Sequence, residues 1–268
     1  ALGKDPNAED MPLWIAPDKK VDLPKMEACM RDHYEGTPLS LDKDIAQGIW
    51  DSPYRPTPLK FEVDGKQYFN ERPISTQQTG FSYIAQLRSW LPREIGGILW
   101  FGNDDGNMVA YVPIYCSNTE RAECFNTPGA DAVTFSDKNA FWVCNWVSNM
   151  VYPRYSQLFP ALKEVRDSLD NAFLAAQKGV EAKAEALYAT DKAAAVKYLN
   201  DYSIQKSNEM IARWRQLAIH LIVKFNDMAV KPEKDGKFLR TSTGLGERVK
   251  RTGYSDYFKR ELVKQTGD

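Results

Sequence analysis

The sequence predicts an α+β protein in which an antiparallel sheet is followed by a helical segment. Between residues 60 and 115, apolar residues alternate with a period of two, which is typical of strands. From residue 158 onward they recur every three to four positions, which is typical of helices. Aromatic residues also concentrate before residue 160. No internal repeat or low-complexity linker divides the chain, so one domain is the simplest interpretation.

The charge balance and the hydropathy pattern exclude two classes of partner. The 268 residues include 35 Lys and Arg against 36 Asp and Glu. The resulting net charge of -1 does not indicate the excess of basic residues that binding to nucleic-acid phosphates requires. The longest apolar runs, such as residues 95–101, are far shorter than the roughly 18 residues of a membrane span. We therefore expect no nucleic-acid partner and no membrane span.

Residues 1–58 are predicted to form a lead-in and loops around one short helix. Prolines interrupt residues 1–24, where residues 13–15 (Leu-Trp-Ile) are expected to anchor an extended segment. The helix is expected over residues 23–33, because Asp22 can cap its first turn.

Residues 59–152 are predicted to be rich in β-structure. Asp64-Gly65 lies between alternating apolar positions and indicates a tight hairpin. Residues 103–107 are interpreted as a second, solvated hairpin turn. Strands are expected over residues 74–78, 81–90, 97–101, 108–115 and 140–150.

Residues 153–231 are predicted to be helical, and residues 232–268 to form a charged, loosely packed tail. The expected helices cover residues 158–177, 181–199 and 203–228, and Pro232 ends the last of them.

The sequence offers little from which to build a metal or cofactor site. His33 and His220 lie far apart, and neither has another histidine or a cysteine at ligand spacing, so no metal is expected. We interpret His220 as structural and His33 as an acid–base candidate. No glycine motif for a dinucleotide or a phosphate is present, and no cofactor is expected.

The four cysteines carry no signature of an activated nucleophile. Cys144 lies in an apolar segment, and Cys29 has no evident activating base. Cys116 and Cys124 bound a loop that a disulfide could close, and two free thiols are the alternative. A disulfide here would favour an oxidising, extracytoplasmic compartment.

Arg55 and Arg88 are the candidate substrate-binding or electrostatic residues. A guanidinium held in a rigid loop or strand suits a carboxylate or stabilises a developing anion. Arg55 is the first choice because prolines frame its loop, and Arg88 is the second. A structural ion pair is the alternative for both.

Six short blocks follow one another in the sequence. They are Met30–Thr37 (MRDHYEGT), Ser52–Arg55 (SPYR), Arg72–Thr79 (RPISTQQT), Gln86–Pro92 (QLRSWLP), Ile95–Gly102 (IGGILWFG) and Pro113–Tyr115 (PIY). In this order they resemble the cysteine dipeptidase family of N-terminal-nucleophile hydrolases. The resemblance covers roughly residues 10–160, and the helical remainder in general character.

The resemblance implies an αββα sandwich of two sheets flanked by helices. It also implies a thiol peptidase that hydrolyses dipeptides, with a cysteine nucleophile at the mature N-terminus and the free α-amino group as general base. This sequence begins Ala1-Leu2-Gly3, and its first block belongs to the later half of such an enzyme. We therefore expect the C-terminal part of a dipeptidase, with its nucleophile in a missing N-terminal half and no turnover by this chain alone.

Two other functions stay open. One is an amidase of the same superfamily that acts on penicillin V or bile-salt conjugates. The other is a non-catalytic module whose aromatic residues bind a carbohydrate or a peptide. An exposed aromatic row would favour the module, and an uncovered apolar face would favour the partial enzyme. Dipeptide preference and oligomeric state, including a homo-oligomer, are left undecided.

Overall fold

A computed structural model describes residues 12–267 and confirms the α+β fold class. The helices are α1 (Leu23–Met30), α2 (Arg93–Gly96), α3 (Ala140–Val151), α4 (Tyr155–Tyr188), α5 (Lys192–Phe225) and α6 (Asp256–Thr266). The strands are β1 (Lys60–Val63), β2 (Lys66–Phe69), β3 (Phe81–Leu87), β4 (Gly97–Asn103), β5 (Val112–Tyr115), β6 (Ala229–Val230), β7 (Glu233–Lys234), β8 (Lys237–Phe238) and β9 (Lys250–Arg251).

The central sheet is antiparallel and has the strand order β3–β4–β5. Strands β3 and β4 pair over seven residues, from Phe81 opposite Asn103 to Leu87 opposite Gly97. Strand β5 pairs with the other edge of β4. Because successive side chains point to opposite faces, this register gives the sheet two faces of different character. The strands β1–β2, β6–β9 and β7–β8 form separate two-stranded ribbons.

One face of the central sheet packs against the long helices α4 and α5. Ile84, Ile98, Trp100 and Tyr115 are buried in the core on this side. Residues 189–191 join the two helices, and so short a connection returns α5 along α4. The apolar stripe of each helix therefore closes the core against the other helix and the sheet.

The opposite face of the sheet is open, and we call it the open face. The side chains of Phe81, Tyr83 and Leu87 are 59%, 52% and 75% exposed on it. Phe101 and Ile114, beside them in the register, are half-buried. A contiguous apolar surface of this kind indicates an interaction site rather than a solvated sheet face.

The strand predicted over residues 140–150 is wrong, because this segment is helix α3. Asn139 caps the helix, since its side chain accepts a hydrogen bond from the backbone N–H of Trp142 at 3.3 Å. Aromatic and β-branched residues favoured a strand, but the apolar spacing is helical. The buried positions recur every three or four residues: Ala140, Val143, Cys144, Val147 and Val151.

Other element boundaries also differ from the predictions. Residues 74–78 form turns, and the strand expected over 108–115 is confined to β5. The segment predicted as one helix over 181–199 is divided: its first part continues the helix predicted over 158–177 as α4, and its second part joins the helix predicted over 203–228 as α5. The break falls at Asp191, which caps α5 by accepting from the N–H of Ala193 at 2.9 Å. The position of the break follows this cap rather than a gap in the apolar pattern.

Both ends of the described chain depart from their predicted roles. Residues 13–15 are strongly exposed and anchor nothing within the described chain. The tail is more ordered than predicted, since it contains β6–β9 and α6. It also returns to the loops near the start of the chain, where the N–H of Ser255 donates to the carbonyl of Ile49 at 3.4 Å. Between residues 12 and 267, no helix combines the length and the apolar character needed to cross a bilayer.

Candidate active site

The polar centre of the molecule is the connection from β4 towards β5, residues 103–109, which we call the central loop. Asp104 and Asp105 within it have no exposed surface, so the prediction of a solvated hairpin tip is wrong. The loop is covered because other segments of the chain pack over it. Its backbone is tightly enclosed, since a Cβ on Gly106 would lie 2.8 Å from the hydroxyl of Tyr111.

The Asp105 carboxylate joins four segments of the chain. One oxygen accepts from the hydroxyls of Tyr54 at 2.5 Å and Tyr152 at 3.3 Å. The other oxygen accepts from the Ser75 hydroxyl and, at 3.2 Å, from the backbone N–H of Asn107. Hydrogen bonds to an ionised carboxylate are the stronger kind, particularly in a buried site. Asp105 therefore fixes the central loop to its surroundings.

Two arginines hold the central loop from the helical side. Arg31, at the end of α1, donates to the carbonyl of Gly106 at 3.0 Å and to the carboxylate of Asp170 at 2.8 Å. Arg166, on α4, donates to the carbonyl of Asn107 at 2.7 Å. These contacts satisfy loop carbonyls that would otherwise be buried without partners. The loop is thus a rigid platform and not a mobile connection.

His33 lies close to this network but has no exposed surface. Its Nδ1 is 3.1 Å from a carboxylate oxygen of Glu35, and its ring packs edge-on against Tyr54 at 4.8 Å between centroids. Burial alone would raise the pKa of Glu35, but hydrogen bonds with His33 lower it to about 2. The Nε2 atom of His33 has no hydrogen-bond partner within residues 12–267. His33 remains an acid–base candidate.

Asp104 is held on the side of the central loop that faces α3. Its carboxylate accepts from the Ser148 hydroxyl at 2.5 Å and from the side-chain amide of Asn145 at 3.2 Å. Burial is the dominant influence and raises the pKa of Asp104 to about 7. This carboxyl group therefore exchanges its proton near neutrality.

The raised pKa of Asp104 predicts a pH dependence of stability. An aspartate in an unfolded chain titrates near pH 4, so between about pH 4 and 7 the folded chain binds more protons than the unfolded chain. Linkage then makes the Asp104 contribution to the free energy of unfolding decline as the pH rises, by up to about 1.4 kcal/mol per pH unit.

We expect the difference in free energy of unfolding between the Asp104→Asn variant and the parent protein to shift in favour of the variant as the pH rises from 5 to 7. Urea denaturation of both proteins at the two pH values measures this difference. Titrating groups whose pKa values are the same in both proteins cancel in the comparison. A difference that is constant or that shrinks with pH would contradict the assignment.

The structure places Arg55 inside a loop and not at an open cleft. Its buried guanidinium donates to the carbonyl of Leu41 at 2.6 Å and to the carboxylate of Asp44 at 2.9 Å. This arrangement is the structural ion pair that the sequence left open as an alternative. Arg55 therefore braces residues 41–55 beside the Tyr54 contact to the central loop.

Arg88 is likewise paired. It forms a buried ion pair with Glu181 of α4 and donates to the carbonyl of Ile95 at 3.2 Å. It lines a cavity of about 650 Å³ that also contains Cys116. Its donors are directed at the protein, which again matches the structural alternative.

Of the two alternatives that the sequence left open for Cys116 and Cys124, the structure has free thiols, as it has for all four cysteines. Cys116 is exposed and lies against Gly97, where a Cβ would be 3.0 Å from its sulfur. Cys124 is buried in another turn, and burial raises the pKa of its thiol to about 11. Cys144 is buried in α3, and burial raises the pKa of its thiol as well. Neither buried thiol is poised to form a thiolate.

Asn103 is the site residue that the sequence reasoning missed. It is the last residue of β4, pairs with Phe81 and therefore lies on the open face beside the central loop. Its side-chain oxygen is buried and has no hydrogen-bond partner among residues 12–267. The alternation of Leu99, Phe101 and Asn103 along one strand face was the available signal. It places one amide at the end of an apolar face.

The sequence blocks that carry the family resemblance surround the central loop in the structure. Arg31, Tyr54 and Ser75 come from three different blocks and all contact this loop. β4, which leads into the loop, contains most of a further block. A buried polar platform at the end of an apolar sheet face is typical of a binding or catalytic site.

The chain belongs to peptidase family C69, because the model of that family matches residues 1–168, which include the central loop. It is also similar to the probable dipeptidase B of Streptococcus pyogenes serotype M1, with 23% identity over 219 residues. The alignment covers 82% of this chain and 41% of that relative. The chain therefore spans about two fifths of the length of the curated relative that it matches.

Proposed function

We propose that this chain is the C-terminal part of a thiol-dependent dipeptidase. The observation that carries the proposal is the match to peptidase family C69 over the segment that contains β3, β4 and the central loop. The name of the streptococcal relative, a probable dipeptidase, supports the same substrate class. Assays with penicillin V and with a conjugated bile salt, run beside dipeptides, would distinguish the proposed dipeptidase from the amidase alternative.

The nucleophile of this proposed enzyme is supplied by a segment outside the 268 residues. Two of the four thiols, Cys124 and Cys144, are buried with raised pKa values, so the thiolate that attack requires is disfavoured. Neither the Cys29 thiol nor the Cys116 thiol forms a hydrogen bond with the central loop in the described part of the chain. In this proposal the open face packs against a second sheet from the same outside segment, which completes the αββα sandwich.

The proposed reaction takes place at the end of the open face, beside Asn103. The α-amino group takes the thiol proton, the thiolate attacks the dipeptide carbonyl, and the carbonyl oxygen becomes an oxyanion. When the oxyanion collapses, the C–N bond breaks and the departing amine takes that proton from the protonated α-amino group. Water then hydrolyses the acyl-enzyme. The side-chain amide of Asn103 donates to the oxyanion, and the rigid central loop holds it in place without reorganisation during the reaction.

We expect Asn103→Ala to lower kcat of the complete enzyme by roughly 100-fold, the usual loss for one oxyanion donor. Steady-state hydrolysis of a dipeptide measures the effect. The matched control is Asn171→Ala, which removes an exposed amide from the outer surface of α4 and should leave kcat unchanged. Equal kcat values for the Asn103 variant and the parent enzyme would show that Asn103 does not stabilise the oxyanion.

A charge on the open face is expected to destabilise the complete protein. Tyr83→Glu would bury a carboxylate against the second sheet, which costs several kcal/mol without a partner. Tyr68→Glu is the control, because Tyr68 has similar exposure, 46%, but lies on the β1–β2 ribbon. Thermal unfolding of the two variants should show a large loss of Tm for Tyr83→Glu only. Equal Tm values would mean that no apolar layer covers this face.

A further inference from the structure

An aromatic groove runs along the exposed side of α3, and its lining shares no residue with the open face. It encloses about 300 Å³. Its lining consists of three aromatic rings and two amides: Phe135, Trp142, Trp146, Asn145 and Asn149. No charged side chain is part of this lining. The sequence analysis left open a binding role for exposed aromatic residues, and this groove is such a surface.

The rings of the groove form a corner. Phe135 meets Trp142 with ring centroids 5.9 Å apart at 63°, and meets Trp146 at 6.3 Å and 87°. The indole N–H of Trp142 donates to the carbonyl of Asp131 at 2.9 Å, which fixes this ring in place. Steeply inclined rings present more than one π face to the same volume, and π faces attract cations.

The side-chain nitrogens of both amides are already engaged within the protein. Asn149 donates to the backbone carbonyl of Asn145 at 2.8 Å and to its side-chain oxygen at 3.1 Å. Asn145 in turn donates to the buried carboxylate of Asp104 at 3.2 Å. The chain of donors runs inward from the exposed Asn149 to a carboxylate. The Asn149 oxygen is left as an acceptor for an N–H group.

We propose that this groove binds an alkylammonium group. The π faces attract the positive charge, and the Asn149 oxygen accepts an ammonium N–H. A neutral alkyl group would gain only the apolar contact. This proposal goes beyond the dipeptidase assignment and does not depend on it, since it is tested by binding and not by turnover.

The test compares n-butylammonium chloride with n-butanol, which has the same alkyl length and no charge. Each probe is titrated into the complete protein at constant ionic strength, and the indole N–H signals of Trp142 and Trp146 are followed by NMR. We expect saturable shifts with n-butylammonium and at least tenfold weaker binding of n-butanol. Equal binding of the two probes would overturn the proposal in favour of an apolar side-chain site.

Two variants locate the site, and a third serves as control. Trp146→Leu should weaken n-butylammonium binding at least fivefold, whereas Asn149→Asp, which adds a carboxylate, should strengthen it severalfold. Trp90→Leu removes an indole that is 77% exposed outside the groove and should change nothing. Unchanged binding in the Trp146 variant, or saturable binding of cellobiose without binding of n-butylammonium, would also overturn the proposal.

Discussion

Replacing Asp105 with alanine is expected to lower the free energy of unfolding by at least about 3 kcal/mol, since each unsatisfied buried polar group costs about 1–3 kcal/mol. The substitution removes the acceptor of the Tyr54 and Ser75 hydroxyls and of the Asn107 N–H. These donors are buried, so water cannot replace the carboxylate without opening the structure. The effect should spread beyond the central loop, because Asp105 links segments that are distant in sequence.

Chemical denaturation of the parent protein and the variant measures this loss. The control is Asp201→Ala, because Asp201 forms an exposed pair with Lys197 on α5, at 2.8 Å. Exposed pairs contribute only about 0–1 kcal/mol, so the control should remain close to the parent. A loss of less than about 1 kcal/mol for Asp105→Ala, on the same scale, would mean that the carboxylate does not hold the loop.

Replacing Arg31 with methionine is expected to cost about 3–5 kcal/mol, the usual effect of breaking a buried ion pair from one side. The variant leaves Asp170 without its guanidinium partner, and it also removes the donor to the carbonyl of Gly106. Burial already raises the pKa of Asp170, and the Arg31 charge opposes that rise. Without the arginine, the Asp170 carboxyl should take up a proton more readily.

A double-mutant cycle separates the ion pair from the rest of the Arg31 contacts. Arg31→Met, Asp170→Leu and the combined variant are compared by urea denaturation. Because the combined variant removes both members of the Arg31–Asp170 pair, its loss should be smaller than the sum of the two single losses. Additive losses would show that Arg31 and Asp170 do not stabilise each other.

The sequence was informative wherever the local pattern and the tertiary packing agreed. Alternating apolar residues predicted β3 and β4, and the 3.6-residue spacing predicted most of α4 and α5. Helix α3 was missed because its aromatic composition suggested a strand, although its buried residues have helical spacing. Burial against α5 favoured the helix here, and composition gave no measure of that packing.

The site was harder to predict because its chemistry depends on contacts between distant segments. Asp104 and Asp105 follow the pattern of an exposed turn, and only their burial under Tyr54, Ser75 and Ser148 changes their role. For Arg55 and Arg88, the sequence offered both a substrate role and a structural pair. In the structure they form ion pairs with Asp44 and Glu181, and no local sequence pattern identified those partners.

The most direct test of the central proposal compares dipeptide hydrolysis by the complete protein and by residues 1–268 alone. Both samples are assayed at equal concentration against the same dipeptides, and free amino acids are quantified over time. The account predicts turnover by the complete protein and none by the isolated chain, because the nucleophile lies outside these residues. Turnover by the isolated chain, or an inert complete protein, would contradict it.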